Sequence, residues 1–348
     1  MYRLIEYVTD SNLASMQKEE AACIDVVNIA FAQVVSDQVI WNHPECADAI
    51  ARLRSWNPEM KILLSVGGWG AGGFSEAAFT PAGRQLFADS AVGLVERYGL
   101  DGIDVDWEYP CIDTAGIRAN AADKVNFTLL LREVRQALEK KEKGRYMLTI
   151  AAGGDSYFIN NTQMSQVAEY LDYVQIMTYD FRGCGGSLIT GHHTNLYAAP
   201  QDLVNACVDR AVRLYMEAGI APDKLFIGAA FYSRVWANVK NENHGMLQQA
   251  ERTVDDVFTY GELVERYIGQ NGYTRYWDED AKAPWLFNGE CFISYDDKES
   301  LGWKIDYLKE KGLAGIMCWE YGCDTSHTLT GFMRSRLDLE VKDGLEEM

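Results

Sequence analysis

The chain has 348 residues, enough for one large domain or two small ones. Hydrophobic residues make up 48%, so a sizeable core is available and disorder is not expected. The formal net charge of −19 disfavours nucleic acid and anionic membrane surfaces as partners, and no apolar run is long enough to cross a bilayer.

The opening, MYRLIEYVTD, starts at once with a strand-like pattern and shows no leader-like run. A cytoplasmic protein is expected if this N-terminus is native, and a secreted one if a signal peptide preceded it. Strand-like apolar runs then recur at Leu4–Val8, Val26–Val34, Ile62–Val66, Gly102–Trp107, Met147–Ala152, Tyr173–Met177, Leu225–Ala230 and Ala314–Trp319. Helical patterns follow most of them, as at Pro81–Tyr98, Lys124–Lys140, Pro200–Ala218 and Leu301–Lys311. Gly99, Gly219 and Gly312 stand just past three of these helices, and Pro81 and Pro200 near two helix starts.

Eight βα units in one α/β chain predict a closed (β/α)8 TIM barrel, with a doubly wound open sheet as the alternative. The open sheet more often carries a Gly-rich phosphate loop after its first strand, where this chain reads EYVTDSN. The cluster GGWGAGG (67–73) is neither a dinucleotide fingerprint nor a Walker loop, and it reads as a flexible loop at the barrel mouth.

One interval breaks the rhythm. About seventy residues separate Ala230 from the helix near Leu301, against roughly two to six for an ordinary βα connection. We expect a small α+β insertion over 236–292, between strand 7 and helix 7, with a helix near Val257–Tyr267. It would sit on the C-terminal rim as one wall of a long cleft, with Trp277 and Trp285 as sugar contacts or core residues. Residues 1–235 and 293–340 would form the barrel, and 341–348 an acidic tail.

The stretch LDGIDVDWEYP (100–110) alternates carboxylates with large apolar side chains. In a strand, residues two apart share a face, so Asp104, Asp106 and Glu108 point one way and Ile103, Val105 and Trp107 the other. In a barrel the apolar face meets the helices and the acidic face lines the interior, with Glu108 at the C-terminal rim. Like charges in a partly dry site raise at least one pKa, which is how a glutamic acid becomes a proton donor near neutrality. A calcium loop also uses closely spaced carboxylates, but it needs polar spacers and a glycine at its sixth position. The eight cysteines form no CxxC pair, and Cys207 and Cys318 read as buried, reduced thiols. The two histidines of TGHHTN, His192 and His193, cannot share one strand face and have no partner at zinc-ligand spacing, so they read as structural.

These residues also carry a resemblance. DGIDVDWE resembles the DxxDxDxE signature of glycoside hydrolase family 18, the chitinases and their relatives. SVGG (65–68) resembles the family's third-strand motif, and QIMTYD the sixth-strand motif. GAAFYSRVW and IMCWEYG resemble its seventh- and eighth-strand ends. The matches are in order and span residues from about 4 to 338. The resemblance implies a barrel, and Glu108 as general acid. It implies Asp106 as the group orienting a substrate acetamide, and Asp104 as its proton-sharing neighbour. Tyr179 would bond the acetamide, with Asp180 beside it and Trp319 as the floor. Tyr7, Phe31, Met177, Tyr232 and Arg234 would complete the sugar pocket, with Trp69 stacking on the next sugar. Ser233 replaces a common glycine, and FRGCGGS lacks the tryptophan that often follows the sixth strand.

The expected activity is hydrolysis of β-1,4-linked N-acetylglucosamine chains by a retaining, substrate-assisted route. An endo-β-N-acetylglucosaminidase and a chitinase-like binding protein are the alternatives. The intact Asp104, Asp106 and Glu108 favour catalysis, since the binding proteins typically replace one of them. No cofactor or metal is implied, and the expected partner is chitin or an N-acetylchitooligosaccharide rather than nucleic acid or membrane.

Overall fold

Eight parallel strands close on themselves: β1 (Arg3–Thr9), β2 (Val26–Val35), β3 (Lys61–Gly67), β4 (Gly102–Asp106), β5 (Met147–Gly153), β6 (Tyr173–Met177), β7 (Leu225–Ala230) and β8 (Gly315–Trp319). Each pairs with its sequence neighbours, and β1 completes the ring by pairing with both β2 and β8. The structure is a computed structural model describing residues 2–183, 186–254 and 257–339. The expected acidic tail, 341–348, and Cys184 lie outside the described residues. Among the described residues no helix is long and apolar enough to cross a membrane, and all seven cysteines are free thiols, with Cys207 and Cys318 buried.

The closed barrel and its strand positions match the sequence reading. The helix Pro81–Tyr98 starts on a Thr80 hydroxyl that accepts the Gly83 N–H at 3.0 Å, and ends at Gly99 with φ 63°. The helix expected over Pro200–Ala218 covers only Val208–Glu217. Its first turns do not form because Asp202 pairs with Arg182 and Asn205 adopts φ 52°, which breaks the helical path.

The segment after β7 builds a second sheet of five antiparallel strands. Their order is Arg252–Val254, Arg234–Ala237, Phe292–Ser294, Ala283–Phe287 and Thr274–Asp278. The sheet thus reaches from residue 234 to 294, because Arg234 pairs in register with Ser294. Trp285 packs inside it, stacked on Tyr276 at 5.2 Å with its indole N–H donating to the His244 carbonyl at 3.0 Å. Trp277 lies under the Arg275 guanidinium and donates to Glu279.

Barrel and insertion meet at a buried ion pair. Lys304, on the helix Lys298–Glu310, reaches Asp296 at 2.6 Å, and both are shielded from water. Asp296 also accepts the Ala230 N–H at the end of β7 and the Ser300 hydroxyl. Removing one partner of such a pair strands the other charge, at about 3–5 kcal/mol. Lys304→Met should therefore destabilise the fold by about that amount in denaturant titration at neutral pH. A loss below about 1 kcal/mol, the range of an exposed pair, would contradict this account of the junction.

Candidate active site

The site starts from the two faces of β4. Ile103, Val105 and Trp107 lie wholly in the layer between barrel and helices, where Trp107 stacks on Phe74 at 5.4 Å and meets Phe127 edge-on at 5.8 Å. Burying aliphatic side chains of this size contributes about 1.5–3 kcal/mol each, which offsets the desolvation of the carboxyls opposite. Asp104, Asp106 and Glu108 point into the barrel, all buried, with exposure rising from 0% to 4% to 9% toward the mouth.

Asp104 accepts four hydrogen bonds. Tyr7 and Ser65 hydroxyls donate to Oδ2 at 2.8 and 2.7 Å, and Thr149 Oγ1 and Gln175 Nε2 donate to Oδ1 at 2.6 and 2.8 Å. Strand register explains the convergence, because Ser65 and Thr149 are the lateral neighbours of Asp104 on β3 and β5. Gln175 is held in turn by Asn28 of β2 at 2.9 Å. Burial pushes the Asp104 pKa up, and the four donors oppose that push.

Asp106 has no such support, and its Oδ1 is buried without a partner. Burial first, then the charges of Glu108 and Asp104, raise its pKa well above the carboxylate range. Of the two neighbours Asp106 has the fewer donors, and its pKa is pushed up further. Burial also lifts Glu108 to about 7, with Asp180 adding to the rise and a hydrogen bond from Tyr109 opposing it. Gly67 lets β3 approach this strand, since a Cβ there would lie 2.0 Å from the Asp106 carbonyl and its φ is 122°.

Above the carboxyls is an aromatic floor. Trp319 stacks on Phe31 with ring centres 5.3 Å apart and meets Tyr7 edge-on at 5.7 Å. Met177 and Tyr179 join the same interior cluster. Tyr179 fits because β7 carries Gly228, where a Cβ would come within 2.8 Å of the phenol ring. The peptides Ala30–Phe31, within β2, Glu108–Tyr109, past the end of β4, and Trp319–Glu320, at the end of β8, are cis.

Beside Tyr179, Asp180 is clamped by both guanidinium arms of Arg234, at 2.6 and 2.8 Å. This pairing, with His193 close by, holds its carboxyl below the usual range despite burial. Tyr232 lies against Tyr179 at 5.9 Å. Trp69 is 66% exposed at the rim and faces Tyr109 edge-on at 6.4 Å.

The structure thus brings the residues named from the sequence into three adjoining groups: the carboxyl row, the aromatic floor and the Asp180 clamp. Trp69 stands at the edge. Sequence reasoning gave Ser65 no task of its own, whereas its hydroxyl donates to Asp104. It missed Asn28, Thr149, Gln175 and Tyr109. The signal for the first three was available, a lone polar residue in the middle of an apolar strand: VVNIAF, MLTIAAG and YVQIM. Histidines 192 and 193 diverge, His192 toward Asp278 at 3.2 Å and His193 toward Asp180 at 3.6 Å. The arrangement offers a neutral ligand an acid poised near neutrality, a second carboxyl with a raised pKa, a tyrosine and a flat apolar base.

Residues 3–324 match the family model described as Glycosyl hydrolases family 18. The chain is 36% identical over 321 residues to chitinase A1 of Niallia circulans, covering 85% of this chain and 46% of that protein. It therefore spans about half the length of that relative. Among solved structures, a family 18 N-acetylglucosaminidase from Paenibacillus barengoltzii is 50% identical, with 97% of this chain and 100% of that chain covered and a TM-score of 0.94. The multi-modular cell-surface chitinase ChiW of a Paenibacillus species is 37% identical, covering 98% of this chain and 43% of that one, with a TM-score of 0.91.

If burial sets the acidity of Glu108, its carboxyl carbon in the free protein should titrate by NMR with a midpoint of about 7. A midpoint near the ordinary glutamate value of about 4.3 would contradict this account.

Proposed function

The chain belongs to glycosyl hydrolases family 18, and on that premise we propose that it hydrolyses β-1,4-linked N-acetylglucosamine chains with retention of configuration. The observation that carries this reading is the carboxyl row itself. Asp106 stands beside Glu108 on one strand face, and a two-carboxylate retaining enzyme needs its second carboxylate across the sugar, about 5 Å from the acid. Asp180, the other nearby acid, is engaged by Arg234. The nucleophile is then the substrate's own 2-acetamido oxygen, the substrate-assisted exception known for this family.

In this scheme the sugar on the non-reducing side of the cut lies over Trp319, with Tyr7, Phe31 and Met177 around it. Glu108 gives its proton to the glycosidic oxygen as the bond to the anomeric carbon breaks. The acetamide carbonyl oxygen attacks that carbon from the opposite face and closes a cyclic oxazolinium ion. Asp106 accepts the acetamide N–H, a bond that strengthens as positive charge develops on the ring, and the Tyr179 hydroxyl donates to the carbonyl oxygen and orients it for attack. Glu108, now a carboxylate, takes a proton from the water that opens the ring and is restored as acid. Asp104 shares a proton with Asp106 and tunes it. Trp69 stacks on the leaving sugar, Tyr232 and Arg234 hold Asp180 against the reacting one, and the 234–294 insertion borders the cleft.

A second reading, release of single N-acetylglucosamine units from chain ends, is supported by the likeness to the Paenibacillus barengoltzii enzyme, matched over its whole chain. The products formed from N-acetylchitooligosaccharides of increasing length distinguish the two.

Glu108→Gln should lower kcat by at least about 10²–10⁴-fold, the usual contribution of general acid catalysis, with oligosaccharide binding retained. Asp106→Asn should also impair turnover. Activity should fall as pH rises through about 7, because Glu108 donates only while protonated. The β-anomer should appear first by NMR, and fully deacetylated chitosan should not be cut. Near-normal turnover in Glu108→Gln, a first α-anomer, or efficient cleavage of deacetylated chitosan would each overturn the scheme.

A further inference from the structure

The two histidines of TGHHTN sit in the loop that follows β6, and the catalytic scheme leaves them without a task. His193 is completely buried. Its N–H donates to the Ser294 hydroxyl at 2.9 Å, on the middle strand of the insertion sheet. Its carbonyl accepts the Phe181 N–H at 3.0 Å, directly after Asp180. The imidazole packs on Tyr232, with ring centres 5.4 Å apart, and Nδ1 lies 3.6 Å from Asp180 Oδ1. Nδ1 stands just beyond ordinary hydrogen-bond length from Asp180 yet helps hold its carboxyl down, and Nε2 has no partner. Leaving a buried polar group unpaired costs about 1–3 kcal/mol, so a space-filling task alone would be better served by an apolar side chain.

The rest of the loop is tied to the same sheet. Thr190 N–H donates to the Gln248 carbonyl at 3.0 Å, His192 meets Asp278 at 3.2 Å, and Leu196 N–H donates to the Ala281 carbonyl at 3.0 Å. Arg234, the clamp on Asp180, opens the insertion's first strand. Asp180 itself has φ 60°, a conformation that surrounding contacts must hold. The groups facing the His193 ring are Asp180, Arg234, Tyr232 and, further off, Asp296. Burial keeps the imidazole neutral, and Arg234 supplies the positive charge that Asp180 needs.

We infer that His193 is a positioning residue: it keys the loop after β6 to the insertion sheet and so fixes the carboxylate of Asp180, and through it the Tyr179–Tyr232 wall of the sugar site. The inference rests on the glycosidase reading for its kinetic consequence, but not for its structural one. It also changes the part given to the insertion, which becomes a support of the reacting-sugar site as well as a wall of the cleft.

Asparagine places its Nδ2 where imidazole Nδ1 lies, whereas leucine fills the space without a polar atom. His193→Leu should lower kcat at least about 10-fold while KM stays within about 3-fold, and His193→Asn should keep kcat within about 3-fold of the wild type. A second readout needs no turnover. The Arg234 Nε–H proton, held by its 2.6 Å bond to Asp180, should shift or broaden by NMR in His193→Leu and hold its position in His193→Asn. An inactive wild type would sink the glycosidase reading and leave this resonance to decide the present one. An unchanged resonance in His193→Leu would overturn the inference, as would equal losses in both variants that track a lowered Tm. Should His193→Leu not fold, Ser294→Ala carries the test, since it removes the bond between loop and sheet while the ring and clamp side chains are unaltered in sequence. It should move the Arg234 resonance and lower kcat about 3-fold, and no change in either would overturn the inference.

Discussion

Asp104 is a carboxyl without access to water, and the interior of the barrel is organised around satisfying its two oxygens. An isolated buried charge of this kind would cost several kcal/mol. Here four donors from β1, β3, β5 and β6 meet its two oxygens. Each donor needs its own strand in register, so the network can form only in a closed ring. The barrel interior is therefore polar at its centre and aromatic at its mouth.

The proton distribution along β4 follows from this. Asp104 holds the donors, so burial raises its pKa less than that of the neighbouring Asp106, which has a bare oxygen. Glu108 lies one step closer to solvent and is shifted less, to about 7. Three carboxyls of similar intrinsic acidity thus differ because their surroundings differ: burial is opposed by four donors at Asp104, by none at Asp106 Oδ1, and by one at Glu108. Trp107, Ile103 and Val105 make this possible from behind, since their burial anchors the strand that carries the acids.

The second charged assembly works differently. Asp180 is kept ionised by a two-armed arginine, and that arginine belongs to the insertion sheet. The loop after β6 is stitched to the same sheet along its length. The buried Lys304–Asp296 pair then fastens the insertion to β7 and to the helix before β8. The acid side of the site accordingly depends on barrel register, and the Asp180 side depends on the insertion.

Much of this was legible in the sequence, because period-two alternation in strands is a local property. It placed the eight strands, the inward face of β4 and the outward face of its apolar residues. The ordered motifs gathered Tyr7, Phe31, Trp69, Met177, Tyr179, Asp180, Tyr232, Arg234 and Trp319 as one candidate site. The start of the Val208–Glu217 helix was not legible, because Asp202 pairs with an arginine twenty residues away. Nor was the anchoring of Asp104, since Ser65, Thr149 and Gln175 come together only through lateral register between strands far apart in the chain. The role of His193 was hidden for the same reason. Sequence fixes which way a side chain points from its own strand. Which charges share a proton, and which loop holds them, depends on contacts between distant segments, and those exist only after the ring has closed.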